Sequence, residues 1–368
     1  MKIAINGVYI QKQASGLGVV SKNIIDRLIN SPQGSDYVVF SHAEHLQDKY
    51  GDRIIPVPNN ISPDRGFTGH IRRLWWYQTE LKQQLKQHQI DLFYSPVSEG
   101  MLFPSIPQIV TLHDLIPLKY REVSPKWRYY YLYVLPQILK RSQKIICISE
   151  HTKKDAIETY RLDAKTIEVV YNGYDRHLFF PQANSQILKQ YGLDKYLLYV
   201  GDMRTYKNLS RCLQAFDRLS QKNYQFVITG KKDDFFYPQI ESLTKRLSAK
   251  DRIIFLDYVP TQDLPSLYSM AQCLVFASLY EGFGLPVLEA MACGCPVIAS
   301  NTTSIPEVGG DSILYVNPLD IEDIARAMQQ ILTDESLRSS LREKGKQRAK
   351  LFDWDKTANA IGSIAELC

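Results

Sequence analysis

Residues Phe276–Pro296 read FASLYEGFGLPVLEAMACGCP. The apolar run Gln272–Ala277 reads as a buried strand ending near Ala277. A loop with two glycines follows, Gly282 and Gly284, and Pro286 then stands where a helix begins, a position that tolerates its missing N–H. Glu289 is expected in the first helical turn. Free backbone N–H groups at a helix start, fed by a glycine loop, make an anion site. Two carboxylates beside it, Glu281 and Glu289, suit a ligand with both phosphates and hydroxyls, because carboxylates accept hydrogen bonds from sugar or ribose hydroxyls. Taken singly, Glu289 also fits simple placement near a helix N-terminus, and Glu281 a solvated loop charge.

The same rhythm of strand and helix extends outward. Near-continuous apolar runs occur at Lys2–Asn6, Tyr37–Phe40, Ile54–Val57, Leu92–Ser95, Gln108–Leu112 and Lys144–Ser149. The pattern restarts at Tyr196–Gly201, Tyr224–Gly230, Arg252–Leu256, Gln272–Ala277, Pro296–Ser300 and Ile313–Val316. Runs without alternation mark strands buried on both faces, hence parallel sheets covered by helices. Between the halves, Ile167–Pro181 (IEVVYNGYDRHLFFP) carries the turn dipeptide Asn172-Gly173 and reads as a linker. The expected fold class is α/β, with two doubly wound Rossmann-like domains facing a central cleft. Their expected bounds are 1–172 and 173–351, and 352–368 is expected as a helix packing back towards the first domain, with Asp353 as its N-cap.

At 368 residues, 45% hydrophobic and 23% charged, the composition excludes a disordered or collagen-like chain. No apolar run is long enough to span a bilayer, and the N-terminus reads as a strand, so a cytoplasmic setting is expected. The six cysteines are scattered, and Cys293-Gly-Cys295 has no Cys/His partner cluster elsewhere. Residues 1–175 hold 22 Lys+Arg against 17 Asp+Glu, whereas the remainder holds 22 of each, so the net charge of +5 lies in the first half. A basic half suggests an anionic partner.

Glu281 and Glu289, separated by seven residues, resemble the E-x7-E signature of retaining glycosyltransferases of the GT-B fold, family 4. Cys293-Gly-Cys295-Pro296-Val297-Ile298-Ala299-Ser300 and Pro306-Glu307-Val308 fit the same pattern, and the resemblance covers nearly the whole chain. It implies transfer of a hexose from a nucleotide diphosphate sugar, UDP-glucose ahead of GDP-mannose, to a glycan or lipid-linked saccharide in polysaccharide or cell-envelope synthesis. Gly201-Asp-Met-Arg-Thr-Tyr-Lys-Asn208 matches the family segment that holds the leaving diphosphate, which implies that role for Arg204 and Lys207; a rigid guanidinium fork and a compact ammonium both suit it. Thr111-Leu-His-Asp-Leu-Ile-Pro117 implies that His113 contacts the donor sugar, with Asp114 orienting the segment. Ser15-Gly-Leu-Gly18 matches a glycine-rich loop, so Gly16 and Gly18 are donor candidates. Gly201, Gly230, Gly282, Phe283, Gly284 and Leu285 complete the implied donor contacts, with Val259 in the loop Asp257–Pro260 near the base. Glu281 is assigned to sugar hydroxyls and Glu289 to the ribose.

No metal and no resident cofactor is expected. Asp353-Trp-Asp355 spells a D-x-D metal signature of the other large glycosyltransferase fold but opens the last helix, and Asp233-Asp234 reads as a solvated loop. Aromatic–basic clusters at Arg72–Tyr77, Lys119–Arg121 and Trp127–Tyr131 suit a membrane headgroup zone or sugar stacking, as well as core packing. A nucleotide-sugar epimerase or a non-catalytic nucleotide-sugar scaffold is the alternative. A nicotinamide dehydrogenase is disfavoured by the missing third glycine after the first strand. No nucleic-acid partner is expected.

Overall fold

The computed structural model describes residues 1–11, 16–31, 36–122 and 125–368. The chain divides into two compact units, Met1–Gly173 with Trp354–Cys368, and Tyr174–Asp353.

The first unit is built on seven parallel strands: β1 (Lys2–Asn6), β2 (Asp36–Ser41), β3 (Ile54–Pro56), β4 (Leu92–Ser95), β5 (Gln108–Leu112), β6 (Lys144–Cys147) and β7 (Ile167–Val169). Their order is β3-β2-β1-β4-β5-β6-β7. Ala4, Phe40 and Phe93 pack with Trp76, Tyr77 and Leu81, while the alternate residues Ile3, Ile5, Val39 and Tyr94 are equally buried. Burial on both faces is why these strands read as unbroken apolar runs. Each large apolar side chain removed from water in this way contributes about 1.5–3 kcal/mol.

Two expectations are corrected here. Ile167–Val169, read as linker, pairs in parallel with β6 through Ile145 and Ile167. Glu168 interrupts its apolar run, and the turn dipeptide Asn172-Gly173 follows three residues after its end, so the segment reads as a connection. Gly16 and Gly18 fall in the first turn of the helix Gly16–Ile29, not in a loop, because the buried stripe Val20, Ile24 and Leu28 carries the helix back to them. Ser15 lies outside the described residues.

The second unit has six parallel strands: β8 (Tyr196–Val200), β9 (Gln225–Thr229), β10 (Ile253–Phe255), β11 (Cys273–Phe276), β12 (Val297–Ser300) and β13 (Leu314–Val316). Their order is β10-β9-β8-β11-β12-β13. The helices Leu209–Asp217 and Ile321–Thr333 cover one face through Leu213, Phe216, Ile324 and Met328. The closing helix Trp354–Glu366 belongs to the first unit; it packs on Gly16–Ile29, where Arg27 Nε lies 2.7 Å from Asp355 Oδ1. Among the described residues no helix is long and apolar enough to cross a membrane.

In each sheet the strand order reverses at one point, between β1 and β4 in the first unit and between β8 and β11 in the second. Crossovers leave in opposite directions there, so the loops beyond the strands' carboxyl ends part and leave a crevice. In open α/β sheets ligands bind at such points, so the loops there are the candidate site.

Candidate active site

In the second unit the switch point brings together Gly201–Asn208, after β8, and Ala277–Gly284, after β11. Their side chains meet: Lys207 Nζ lies 2.8 Å from Glu281 Oε1, with side-chain exposures of 15% and 8%. Burial works against the Lys207 ammonium, but the Glu281 carboxylate and the Tyr206 and Asp202 groups outweigh it and hold its pKa above the usual lysine value. Lys207 closes a 3-10 turn, Thr205–Lys207, begun by Arg204, whose guanidinium stays partly exposed 3.4 Å from Asp202 Oδ2. The two cations thus sit on one tight turn, each held by its own carboxylate.

Asn208 fixes that turn. Its φ is 59°, and its buried amide donates to the carbonyls of Ala277 at 2.8 Å and Pro318 at 2.7 Å. The β8 loop is thereby stapled to the end of β11. On the other side, the Ser304 hydroxyl is in donor range of both Glu281 O (3.0 Å) and Phe283 O (3.1 Å), and Thr303 Oγ1 accepts from Glu281 N. Gly284 (φ 103°) caps the helix Leu285–Ala292, and a Cβ there would lie 2.6 Å from Ile305 Cδ1. The helix start presents the N–H groups of Gly284 and Leu285, which have no helical acceptor, and Pro286 supplies none. An anion facing this start would meet backbone donors and the Lys207 charge together. Phe283 is buried edge-on to Phe352 and shapes the loop from beneath.

Glu289 is the fifth residue of that helix, one residue deeper than expected and just past the first turn, because the helix starts at Leu285 and not at Pro286. Its carboxylate accepts from Tyr268 Oη at 3.0 Å. Crowding by protein atoms pushes its pKa up to about 7, although part of the residue still meets solvent.

Gly201 and Gly230 follow β8 and β9 directly. Gly230 has φ 150°, and a Cβ on it would stand 1.9 Å from Gly201 O, so the two loops approach at a distance only glycine allows. Beyond β10, Val259 is buried, Tyr258 is exposed, and Asp257 Oδ1 holds Lys232 Nζ at 2.6 Å.

The first unit carries His113 just beyond β5. Its Nε2 lies 2.7 Å from the Pro96 carbonyl. A carbonyl only accepts, so Nε2 bears the proton, and Nδ1 is left with its lone pair and no partner among the described residues. Burial lowers the ring's pKa, which keeps it neutral. His113 is therefore built as a hydrogen-bond acceptor. Asp114 Oδ1 accepts from Ile116 N and shapes the following turn.

The family models agree with this geometry. Residues 14–178 match Glycosyltransferase Family 4, and residues 182–348 match Glycosyl transferases group 1. The O-antigen chain mannosyltransferase B of Escherichia coli is 34% identical over 67% of this chain and 67% of its own. The chain belongs to the group 1 glycosyltransferases. The O-antigen chain mannosyltransferase RfbU of Salmonella typhimurium is 28% identical over 88% of this chain and 87% of its own. A solved structure of Anabaena HepE in complex with UDP and glucose superposes with a TM-score of 0.79 and 18% identity, over the full length of both chains. At that identity it shows the GT-B fold.

Several sequence readings resolve within this glycosyltransferase. Asp353 pairs with Arg176, and Asp355 with Arg27, so both carboxylates of the D-x-D are engaged in ion pairs. Asp233 accepts from the backbone N–H groups of Phe235 and Phe236. Cys293 and Cys295 are free and buried, and among the described residues no group of three or more His, Cys, Asp or Glu is placed to hold a metal. The cluster Arg72–Tyr77 splits: Arg73, Trp76 and Tyr77 are buried and Trp75 is exposed. Asn208, Thr303, Ser304 and Tyr268 were not assigned roles from sequence. Only Asn208 had a signal, its place directly after Lys207.

Proposed function

We propose that this glycosyltransferase moves a mannosyl residue from GDP-mannose to a glycan or lipid-linked saccharide, with retention at the anomeric carbon, in polysaccharide or cell-envelope synthesis. The observation that carries the reading is the buried Lys207–Glu281 pair at the second unit's switch point, beside the helix start at Gly284. Sequence kinship to two O-antigen mannosyltransferases supports mannose ahead of glucose. The UDP-bound relative, at 18% identity, speaks to fold and not to the base.

In this reading Arg204, Lys207 and the N–H groups of Gly284 and Leu285 stabilise the charge that develops on the leaving diphosphate. Donors already in place for such charge are commonly the largest catalytic contribution. Glu281 takes sugar hydroxyls, Glu289 takes the ribose diol, and backbone around Val259 borders the base. His113 accepts a hydrogen bond from a sugar hydroxyl through Nδ1. The acceptor hydroxyl attacks on the face the diphosphate leaves, and its proton goes to the departing phosphate oxygen. Two side-chain cations beside a helix start can offset the diphosphate charge, which supports a reaction without a metal.

The acceptor's lipid would explain the first unit's surface. Trp75, Tyr129, Tyr133 and Phe103 are exposed there, and Arg141 lies over Phe103 at 5.2 Å. Cations against exposed aromatics suit an anionic headgroup zone. Flotation with anionic liposomes checks this, and absence of co-migration at low salt would remove it.

The deciding experiment is a calorimetric titration of GDP-mannose, UDP-glucose and their nucleotides, with and without EDTA, followed by NMR of the product's anomeric configuration. Tight binding of GDP-mannose alone, unchanged by EDTA, and an α-mannoside product are expected. Preference for UDP-glucose would move the donor assignment, an inverted product would remove the mechanism, binding without turnover would favour a scaffold, and no binding would remove the donor site.

A further inference from the structure

The first unit's switch point holds a buried ionic network that the donor chemistry does not use. Glu99, at the end of the loop after β4, is 2% exposed. Its Oε1 accepts from Tyr9 Oη (2.8 Å), His70 Nδ1 (2.7 Å) and Arg73 Nη2 (3.1 Å). Its Oε2 accepts from Arg73 Nε (2.9 Å) and Tyr77 Oη (3.1 Å). Arg73 also donates to Tyr9 Oη and to the Ile61 carbonyl, and Asn6 Nδ2, at the end of β1, donates to Tyr77 Oη. The Arg73 guanidinium and the His70 ring overcome burial and hold the Glu99 carboxyl well below the usual carboxylate range.

A carboxylate has about four lone-pair sites, and five donors already occupy them. Glu99 therefore has no capacity left for a ligand, and its reach must be through what it holds. It ties the loop after β1, by Tyr9, to the helix Gly66–Gln78, by His70, Arg73 and Tyr77, and to its own loop, residues 95–99. That loop in turn grips the His113 segment. Pro96 O accepts a hydrogen bond from His113 Nε2 at 2.7 Å and Ser98 Oγ donates to Thr111 O, while Ser98 O is itself held by Tyr130 Oη at 2.6 Å.

We propose that Glu99 is a positioning residue: its network fixes loop 95–99, and through the Pro96 carbonyl it fixes the tautomer and orientation of His113. This rests on the acceptor role given to His113 above. Every lone pair of the Glu99 carboxylate is engaged, although His70 Nε2 is buried without a hydrogen-bond partner, and a buried network of this kind costs desolvation and rigidifies what it joins.

The test uses the full chain labelled with 15N-histidine, in which the long-range 15N–1H spectrum reports each ring's protonation. His113→Ala assigns the signal. The wild type should show Nε2 protonated and Nδ1 bare. Glu99→Gln should blur that pattern and lower kcat about a hundredfold, the scale of a misplaced group, with the donor KM within about twofold. Tyr9→Phe removes one donor but keeps the Arg73–Glu99 pair, so it tests the same point if Glu99→Gln does not fold; a roughly tenfold loss in kcat with partial mixing of tautomers is expected. An unchanged His113 signal in either folded variant overturns the proposal, as does a rise in donor KM without a fall in kcat. If His113→Ala keeps full turnover, the role of His113 falls, while the 15N pattern still decides whether Glu99 sets its tautomer.

Discussion

Lowering the pH from about 8 to about 6 should strengthen the fold at Glu289 while weakening donor binding at the same carboxyl. The carboxyl's ordinary pKa of 4.5 rises to about 7 in the folded chain, through burial offset only in part by the Tyr268 hydroxyl. Between those two values the native state binds more protons than the unfolded one. Stability from this group is thus fully present below 4.5 and is lost as pH rises through about 7. The gap caps that loss at about 3 kcal/mol, and solvent reaching the residue reduces it. Donor binding runs the other way. A ribose diol donates two hydrogen bonds, so it needs the ionised carboxylate, which at about pH 6 is only about a tenth of the population. Affinity should therefore fall about tenfold, or ~1.4 kcal/mol, from its value at high pH. The assay is isothermal titration calorimetry with the intact nucleotide sugar, whose doubly esterified diphosphate does not titrate in this range. Buffers of different ionisation heat should reveal proton release on binding at low pH. Glu289→Gln should flatten both curves. A wild-type Kd that does not change with pH, or a slope that survives in Glu289→Gln, would refute the ribose assignment.

Four further outcomes follow from the same geometry. Lys207→Ala and Glu281→Ala should each lower turnover by orders of magnitude, and each strands a buried charge at a cost of about 3–5 kcal/mol, whereas Lys207→Met with Glu281→Gln should recover melting temperature but not activity. Gly230→Ala should destabilise by about 3 kcal/mol or more in urea unfolding, since its Cβ would meet Gly201 O at 1.9 Å. Asn208→Ala leaves the Ala277 and Pro318 carbonyls unpaired and should cost about 2–3 kcal/mol, with a larger fall in kcat than in donor affinity. At saturating donor, kcat should show no acid limb from His113 near its ordinary value of 6.5, because burial lowers its pKa; an acid limb there that disappears in His113→Ala would contradict the neutral acceptor role.

The parallel sheets were legible because burial on both faces writes itself as unbroken apolar runs, as in LFYS at β4 and QIVTL at β5. The three-residue β7 left no such trace. In the second unit, Lys207 and Glu281 were legible as motifs, the one six residues after Gly201 and the other directly before Gly282, and what sequence could not supply was their contact, 74 residues apart along the chain. Glu99 left no motif at all. Its partners stand 90, 29, 26 and 22 residues away, and two of them, Arg73 and Tyr77, were absorbed into an aromatic–basic cluster whose helical spacing suits a surface or a core equally well. The missing information was topological. Strand order 3-2-1-4 makes the loops after β1 and β4 neighbours at the switch point, as the order in the second unit does for those after β8 and β11. With that order in hand, a glutamate four residues beyond β4 stands next to the loop after β1, in a crevice walled by apolar strands. There a carboxylate must be paired or neutral, which points to an arginine on the covering helix before any contact is measured.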